Sequence, residues 1–245
     1  MPISRRSALG LLAAAAALPA LAPVTRARAQ SSDPLRIGVI GAGWMGGTVG
    51  REWVRAGHEV MFSSRNPDEL RAMAQQAGPR ASVGLPIEAA RFGSVLLFTV
   101  PYAALPQLAT DLHDALQGKI VLDACNPRRD ESALSREAYK DGVAVTTARL
   151  LAGARVVRAF SSVDATQVEA SARRSDNKLG VPVASDDAAA RELAARLVRD
   201  AGCEPVIVGG LAAATSYQGG GPGFRNHLNA AELRRVLGLS GQETP

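Results

Sequence analysis

Residues 35–46 read LRIGVIGAGWMG, and this stretch decides the fold. The apolar run over residues 35–40 predicts a short buried strand, and the amphipathic stretch that ends at Ala56 predicts a helix. A second apolar stretch, residues 58–62, follows Gly57 and predicts another strand. Between the first strand and the helix stand three glycines with the spacing G-x-G-x-x-G: Gly41, Gly43 and Gly46.

Each glycine of this spacing has a separate physical role. The first permits a tight turn, the second lets the backbone approach a pyrophosphate, and the third allows the helix to pack closely on the strand. Amides at the helix start lack partners within the helix, so they suit phosphate oxygens. A purely structural glycine turn is the alternative. The surrounding strand, turn, helix and strand favour dinucleotide binding at Gly41, Ala42, Gly43, Trp44, Met45 and Gly46.

The residues after the second predicted strand indicate which nicotinamide cofactor fits. A carboxylate there would accept from the ribose 2′-hydroxyl of NAD and would repel the 2′-phosphate of NADP. The stretch is Ser63-Ser64-Arg65-Asn66, which contains no acid. Ser64 can donate to a phosphate and Arg65 can form paired charge-assisted bonds with one, so we predict NADP. The alternative is an Arg65 that only caps a solvated turn.

Strand-like and helix-like segments alternate through the rest of the chain. This alternation predicts an α/β fold: a doubly wound, mainly parallel sheet of the Rossmann type, extended by further strands in one compact domain. Further helices are predicted at 67–76, 87–91, 105–116, 147–151 and 186–201. Further strands are predicted at 81–83, 94–100, 119–124, 143–145, 155–160, 181–185 and 204–208.

Composition and charge narrow the function classes. The 245 residues are 47% hydrophobic and 21% charged, as expected for a globular protein with one sizeable core. Four of the 28 basic residues and none of the 23 acidic residues fall in residues 1–29, so the rest of the chain carries a net charge of only +1. We therefore expect no nucleic-acid partner. A homodimer is a separate expectation that the charge does not address.

The N-terminus predicts export. Arg5 and Arg6 precede an apolar run over residues 8–18, and Ala27-Arg28-Ala29 forms a small-x-small cleavage site. Eleven apolar residues would rise about 16 Å as a helix, which is too short to span a bilayer core of about 30 Å as a stable anchor. The pattern is that of a signal peptide, and the paired arginines resemble a twin-arginine (Tat) signal, so we expect a periplasmic protein.

These features predict four regions in the chain. Residues 1–29 form the Tat-like signal peptide and residues 30–34 a linker. Residues 35–214 form the NADP-binding Rossmann domain, and residues 215–245 form a glycine-rich loop and a C-terminal helix.

Nine stretches, taken in order, resemble the coenzyme F-420-dependent NADP oxidoreductase family. Together they cover most of residues 35–214. They are IGVIGAG (37–43), AGHEV (56–60), SR (64–65), TVP (99–101), GKIVLD (118–123), NP (126–127), VRAF (157–160), SDDA (185–188) and VGGLAAA (208–214).

This resemblance implies a Rossmann domain that holds NADP and exchanges hydride with a small-molecule redox acceptor, a deazaflavin or flavin-like ring. It implies that Asn126-Pro127 and Phe160-Ser161 line the acceptor side. Thr99, Val100 and Pro101 would flank the nicotinamide. The cofactor contacts implied by motif position are Ala42, Gly43, Trp44, Met45, Ser64, Arg65, Val100 and Ala159.

Three features depart from the family pattern. Residues 66–69 (NPDE) follow the Ser-Arg pair where the family commonly has a further basic residue. Trp44 is a bulky ring where a small polar residue is often found. The terminal stretch 219–224 (GGGPGF) replaces the usual ending of the family.

Few residues can act as acids or bases. We expect His58 and Lys119 to be structural because they open strands, whereas ligands bind at the carboxyl ends. His113 is expected on a solvated helix, and His227 at a surface helix start rather than in a lid. Asp123 and Asp164 stand near strand ends without a visible partner. No triad or metal-ligand spacing is present, and direct hydride transfer between stacked rings demands no dedicated acid.

Other interpretations remain open at this point. The Gly-x-Gly-x-Met-Gly motif is also similar to the corresponding motif of hydroxyacid dehydrogenases and pyrroline carboxylate reductases. Those proteins continue with a long all-helical part, whereas strands are predicted to the end of the domain here. A non-catalytic NADP-binding or sensing module and an NADPH-dependent reductase of a small carbonyl compound are the rival functions. Cys125 and Cys203 are expected to be free buried thiols.

Overall fold

The structure is a computed structural model that describes residues 33–128 and 132–239. The described residues from Pro34 to Leu239 form one compact unit. The predicted signal peptide, residues 1–29, and the first three residues of the predicted linker lie outside the described residues.

Eight strands form one sheet within the described residues, in the order β3-β2-β1-β4-β5-β6-β7-β8. The first six strands are parallel, and their order, 3-2-1-4-5-6, is that of the Rossmann fold. This confirms the predicted fold class. The strands are β1 (Arg36–Ile40), β2 (Glu59–Ser63), β3 (Ala81–Gly84), β4 (Val95–Phe98), β5 (Ile120–Asp123), β6 (Arg155–Arg158), β7 (Gly180–Ala184) and β8 (Glu204–Gly209).

Helices cover both faces of this sheet. They are α1 (Trp44–Arg55), α2 (Arg71–Ala77), α3 (Pro86–Phe92), α4 (Leu105–Asp111), α5 (His113–Leu116), α6 (Ala133–Asp141), α7 (Val143–Leu150), α8 (Ala165–Ala172), α9 (Ala188–Asp200) and α10 (Ala230–Val236). Short 3-10 helices lie at Pro67–Leu70, Tyr102–Ala104 and Leu211–Tyr217. No helix in the described ranges is both long and apolar enough to cross a bilayer.

Alternation along the strands produces two cores. Successive strand side chains point to opposite faces, so both faces of a covered parallel strand must be apolar. In β4, Val95 and Leu97 enter a core that also contains residues of α1 and α9, whereas Leu96 and Phe98 enter the core on the other face. All four residues of β4 are buried, and so are all four of β5.

The last two strands run against the other six. β7 pairs with β6 in antiparallel direction through Arg158 and Ala184, and β8 is parallel to β7. Because Arg158 is the last residue of β6 and Ala184 the last of β7, the remainder of β7 extends beyond the carboxyl end of β6. The β7–β8 pair therefore borders the edge at which β1, β4, β5 and β6 end.

A buried ion pair joins β5 to β6. The Asp123 and Arg158 side chains are 0% and 1% exposed, and their Oδ2 and Nη1 atoms lie 2.6 Å apart. The other Asp123 oxygen accepts from the amide of Cys125 at 2.9 Å, and Arg158 Nη2 donates to Asn126 Oδ1 at 2.6 Å. Tyr217 donates its hydroxyl proton to the Arg158 carbonyl at 3.0 Å. These bonds compensate the desolvation of both charges and fix the segment after β5.

The predicted strand at residues 143–145 is wrong. These residues begin helix α7, which follows Gly142 at a φ of +99°. The sheet offers them no place, because β5 pairs with β4 on one side and with β6 on the other. Their apolar side chains pack against the helix-covered face instead, where Val143 and Ala144 are buried.

Candidate functional site

The predicted site residues lie along one edge of the sheet. The carboxyl ends of β2, β1, β4, β5 and β6 are neighbours, which at ordinary strand spacing makes a row of about 19 Å. The chain adds β2 and β3 on one side of β1 and then crosses over to form β4 on the other side. The strand order therefore reverses between β1 and β4. Ligands of open α/β sheets bind at the carboxyl edge beside such a switch point.

The glycine turn is anchored to both strands that flank β1. The amides of Gly41 and Ala42 donate to the Ser63 carbonyl of β2, at 3.2 and 2.8 Å. Thr99, directly after β4, donates its hydroxyl to the Gly41 carbonyl at 2.6 Å. Gly41 has a φ of +96°, which an L side chain rarely adopts, and a Cβ there would lie 2.6 Å from Val100 Cγ1. The first glycine of the motif is therefore required by the turn itself.

The other two glycines differ in what surrounds them. A Cβ at Gly46 would lie 2.4 Å from Thr99 Oγ1 and 2.5 Å from the Gly41 carbonyl oxygen, so α1 packs too closely for a side chain. A Cβ at Gly43 would meet no heavy atom within 4 Å, and the φ of Gly43 is an ordinary −73°. The chain's own packing does not need a glycine at 43. Open space at this backbone suits the close approach of a pyrophosphate.

The N-terminus of α1 lies at the same open space above Gly43. Gly43 is its N-cap and supplies no side-chain bond to the first amides, and its first turn contains no acid. The positive end of the helix is therefore available to an anion. Met45 is partly buried against the core, whereas Trp44 is 72% exposed beside the turn.

Arg65, two residues after the end of β2, is a cation without an ion-pair partner among the described residues. Arg65 is exposed and makes no hydrogen bond or ion pair within the described residues. The two acids that follow it are engaged locally, because Asp68 accepts from Arg71 at 2.7 Å and Glu69 accepts from Asn66 at 2.6 Å. The acidic stretch after the Ser-Arg pair therefore leaves Arg65 unneutralised. Ser64 accepts from the Asn66 amide at 3.0 Å and keeps its hydroxyl proton for a phosphate.

The remaining predicted contacts follow β4, β5 and β6. Thr99 and Val100 are partly buried next to the glycine turn, and Pro101 is exposed. The Asn126 side chain is held at both ends, since its oxygen accepts from Arg158 and its nitrogen donates to the Ser161 carbonyl at 2.6 Å. Ala159 is fully buried in the core, so only its backbone can face a ligand.

Residues 160–162 follow β6 in a strained and buried segment. Phe160 has a φ of +60°, and its ring meets that of Trp53 edge to face at a centroid distance of 6.1 Å. The hydroxyls of Ser161 and Ser162 are buried and have no hydrogen-bond partner among the described residues. Unusual backbone angles and unsatisfied polar groups of this kind are typical of functional sites.

A charged cluster that the sequence did not reveal lies beside this segment. Arg225 Nη2 donates to Asp164 Oδ2 at 2.6 Å, and His227 Nε2 lies 3.2 Å from the same oxygen without hydrogen-bond geometry. The amide of Arg225 also donates to the Ser162 carbonyl at 2.8 Å. His227 lies shortly before α10, close to the predicted helix start, and its partly buried side chain also contacts Asp164, the N-cap of α8. Residues 61 and 63 positions apart meet here, and no local pattern signals such a contact.

Several other titratable residues have structural contacts. His58 is buried, accepts from the Leu35 amide at 3.1 Å and lies 3.0 Å from Asp200 Oδ2. Lys119 donates to the Gly93 carbonyl at 2.6 Å, and burial lowers its pKa. Asp123, which showed no partner in the sequence, pairs with Arg158.

Both cysteines are free and buried. Burial raises the pKa of the Cys125 thiol well above its usual value, and the neighbouring Asp123 carboxylate acts in the same direction. Burial also raises the pKa of Cys203 to about 12. Both thiols are therefore protonated at neutral pH and poor nucleophiles. Within residues 33–128 and 132–239, no group of three or more His, Cys, Asp or Glu side chains is placed to hold a metal ion.

One segment of the sequence, residues 36–127, matches a known family. Residues 36–127 match the family described as NADP oxidoreductase, coenzyme F420-dependent, which confirms the predicted resemblance over this range. The chain is also 27% identical over 187 residues to the metalloreductase STEAP3 of Rattus norvegicus, which covers 75% of this chain and 36% of that protein. The chain thus spans about a third of the length of this curated relative. It is related to NAD(P)-dependent oxidoreductases.

Solved structures agree with the fold. A hypothetical protein from Sinorhizobium meliloti is 24% identical and covers 80% of this chain and 93% of its own, with a TM-score of 0.64. A putative F420-dependent NADP reductase from Arthrobacter sp. FB24 is 23% identical and covers 74% of this chain and 88% of its own, also with a TM-score of 0.64. At these identities the likeness shows the Rossmann-type fold.

The contrast between the two glycines makes a prediction about binding and stability. Gly43→Ala should leave the free energy of unfolding within about 0.5 kcal/mol of the parent, because its Cβ meets nothing. It should weaken NADPH binding at least about tenfold, or roughly 1.4 kcal/mol, because its Cβ fills the space of the pyrophosphate. Denaturant unfolding and calorimetric titration with NADPH measure the two quantities.

Gly46→Ala is the matched control for Gly43→Ala. It should cost about 1 to 3 kcal/mol of folding stability, because its Cβ overlaps Thr99 and the Gly41 carbonyl. Unchanged NADPH affinity in the Gly43→Ala protein would contradict the placement of the pyrophosphate at this turn.

Proposed function

We propose that this chain, related over residues 36–127 to the F420-dependent NADP oxidoreductases, binds NADP(H) and transfers hydride between it and a flavin-like or deazaflavin acceptor. The pyrophosphate is assigned to the glycine turn, the 2′-phosphate to Ser64 and Arg65, and the nicotinamide to Thr99, Val100 and Pro101. The acceptor is assigned to the side of Asn126 and residues 160–161.

One observation carries this proposal: the space over Gly43 at the start of α1. The turn is tied to β2 by the Ser63 carbonyl and to β4 by Thr99, so the backbone amides are held in place before a ligand arrives. No heavy atom of the described residues lies within 4 Å of a Cβ at Gly43, and the first turn of α1 contains no acid. Such a preformed anion site at a switch point is what a dinucleotide requires.

The assignment of NADP rests on the charges after β2. Arg65 projects from an exposed position, and the acids at 68 and 69 are bound by Arg71 and Asn66. A 2′-phosphate would therefore meet a guanidinium without competition from a carboxylate.

The chemistry needs little from acid or base groups. NADPH, when bound, supplies a hydride with two electrons; the acceptor gains that hydride and one proton from water, and NADP⁺ is left. The task of the chain is to hold two rings within reach and to exclude water. The bonds that fix Thr99 to Gly41 and Asn126 to Arg158 and Ser161 serve this positioning.

We also propose that the protein is exported. The support is the sequence of residues 1–29, with its paired arginines, apolar run and Ala27-Arg28-Ala29. A Tat route carries folded proteins, so a nicotinamide nucleotide bound in the cytoplasm can leave with the chain.

Arg65 separates the two nicotinamide cofactors. Arg65→Ala should weaken NADPH binding by about 1.5 to 3 kcal/mol, the range for a hydrogen bond to a charged group, and should leave NADH binding unchanged. Calorimetric titration with both cofactors measures this difference. Arg71→Ala is the matched control, because Arg71 lies in the same segment but is bound to Asp68. Equal losses for NADPH and NADH would refute the 2′-phosphate assignment.

The acceptor is tested by single-turnover oxidation of bound NADPH. The purified protein is mixed with FMN, riboflavin, an F-420-type deazaflavin, a quinone, a small ketone or a ferric chelate, the last chosen because the rat relative is named a metalloreductase. Oxidation should be fastest with a flavin or deazaflavin. Tight NADPH binding without oxidation by any of them would instead indicate a binding or sensing module, and oxidation by the ketone alone would indicate a carbonyl reductase.

Export is tested by fractionation of a bacterial host. The full chain should be recovered in the periplasmic fraction, and Arg5→Lys with Arg6→Lys should retain it in the cytoplasm. Arg26→Lys with Arg28→Lys is the matched control, because these arginines lie outside the pair. Cytoplasmic retention of the parent chain would overturn the export proposal.

A further inference from the structure

A pocket lies between α6 and the glycine-rich segment that replaces the family ending. Its volume is about 470 Å³. The α6 side is formed by Arg136 and Tyr139, and the opposite side by Thr215, Gln218 and residues 219–221. The sequence marked this glycine stretch as a departure, and the nucleotide-binding assignment leaves it without a role.

The pocket adjoins the acceptor side of the site. Tyr139 donates its hydroxyl proton to the Pro127 carbonyl at 2.9 Å, and Pro127 directly follows Asn126. Asn126 is in turn held by Arg158 at the end of β6. On the other side, Tyr217 donates to the Arg158 carbonyl, so the buried ion pair fixes both walls of the pocket.

The glycine segment closes tightly on α6. A Cβ at Gly219 would lie 2.6 Å from the Tyr139 hydroxyl oxygen, and a Cβ at Gly221 would lie 2.6 Å from the Ser216 carbonyl oxygen. Any side chain at these two positions would push the segment away. The wall is thus made of backbone, which leaves the polar side chains of Arg136 and Gln218 to recognise a ligand.

Two side chains that line the pocket, those of Arg136 and Gln218, offer hydrogen-bond donors. Arg136 is exposed, and its guanidinium makes no ion pair within the described residues. The acids of α6 are directed elsewhere, since Glu137 and Asp141 lie 3.4 and 2.8 Å from Arg149. Gln218 accepts from the Val143 amide at 3.0 Å through its oxygen. This bond fixes the orientation of the amide and leaves its NH₂ group as a donor.

We propose that this pocket binds a phosphate monoester carried on the non-reacting side chain of the acceptor. A guanidinium and an amide NH₂ are complementary to phosphate oxygens. The monoester brings about −1.5 to −2 charges to a pocket in which Arg136 is the charged side chain among the described lining residues. The inference rests on the proposed function, because it names the class of acceptor for the same site: a flavin-like ring that bears a phosphate. NADP would occupy the neighbouring glycine turn.

The test compares FMN with riboflavin, which differ only in the phosphate. Equilibrium dialysis of the full chain without NADPH should give a dissociation constant for FMN at least tenfold below that for riboflavin. Arg136→Ala should abolish this difference by weakening FMN alone. Arg149→Ala is the matched control, because Arg149 is held by Glu137 and Asp141 and does not line the pocket.

A second variant keeps the wall intact. Gln218→Glu retains an oxygen for the Val143 amide but replaces the NH₂ donor with a negative charge, so FMN binding should weaken at least tenfold while riboflavin binding changes little. Inorganic phosphate should compete with FMN and not with riboflavin, which identifies the phosphate as the recognised group.

Three results would overturn the inference: equal affinities for FMN and riboflavin in the parent protein, no binding of either, or equal losses for both in Arg136→Ala. The dialysis contains no nicotinamide cofactor, so its outcome is independent of hydride transfer. Preferential FMN binding without NADPH oxidation would overturn the proposed function and leave the pocket assignment intact.

Discussion

The buried ion pair between Asp123 and Arg158 determines the arrangement of the segments that follow β5 and β6. Burial of two charges is costly unless the remaining donors and acceptors are satisfied, and here the amide of Cys125, the side chain of Asn126 and further backbone bonds complete the network. The same arginine carbonyl accepts from Tyr217. The ends of β5 and β6 and the C-terminal segment therefore hold one another, and the pocket beside them inherits that rigidity.

The two parts of the site are built by different means. At the glycine turn, main-chain amides and the space left by Gly43 are available to a ligand, so few side chains are needed. The pocket beside α6 is lined instead by side chains from distant parts of the chain, such as Arg136 and Gln218. A local motif thus forms the first part, whereas contacts between distant segments form the second.

The glycine turn and most strands could be predicted from the sequence, because a glycine spacing or an apolar run specifies the backbone of the few residues that contain it. The pairing of Asp123 with Arg158 joins residues 35 positions apart, and no pattern in the sequence indicates it. The segment at 143–145 looked like a strand because Val is favoured in strands, but β5 already had both neighbours. The reversed direction of β7 likewise depends on tertiary packing rather than on its own residues.

The two tryptophans of the chain have opposite surroundings. Trp53 is fully buried, donates its indole proton to the Leu197 carbonyl at 2.7 Å and meets Phe160, whereas Trp44 is 72% exposed at the first residue of α1. The intrinsic fluorescence of the protein is therefore the sum of a protected emitter and one open to soluble quenchers. Because the open one adjoins the glycine turn, a ligand bound at that turn would lie beside an exposed indole.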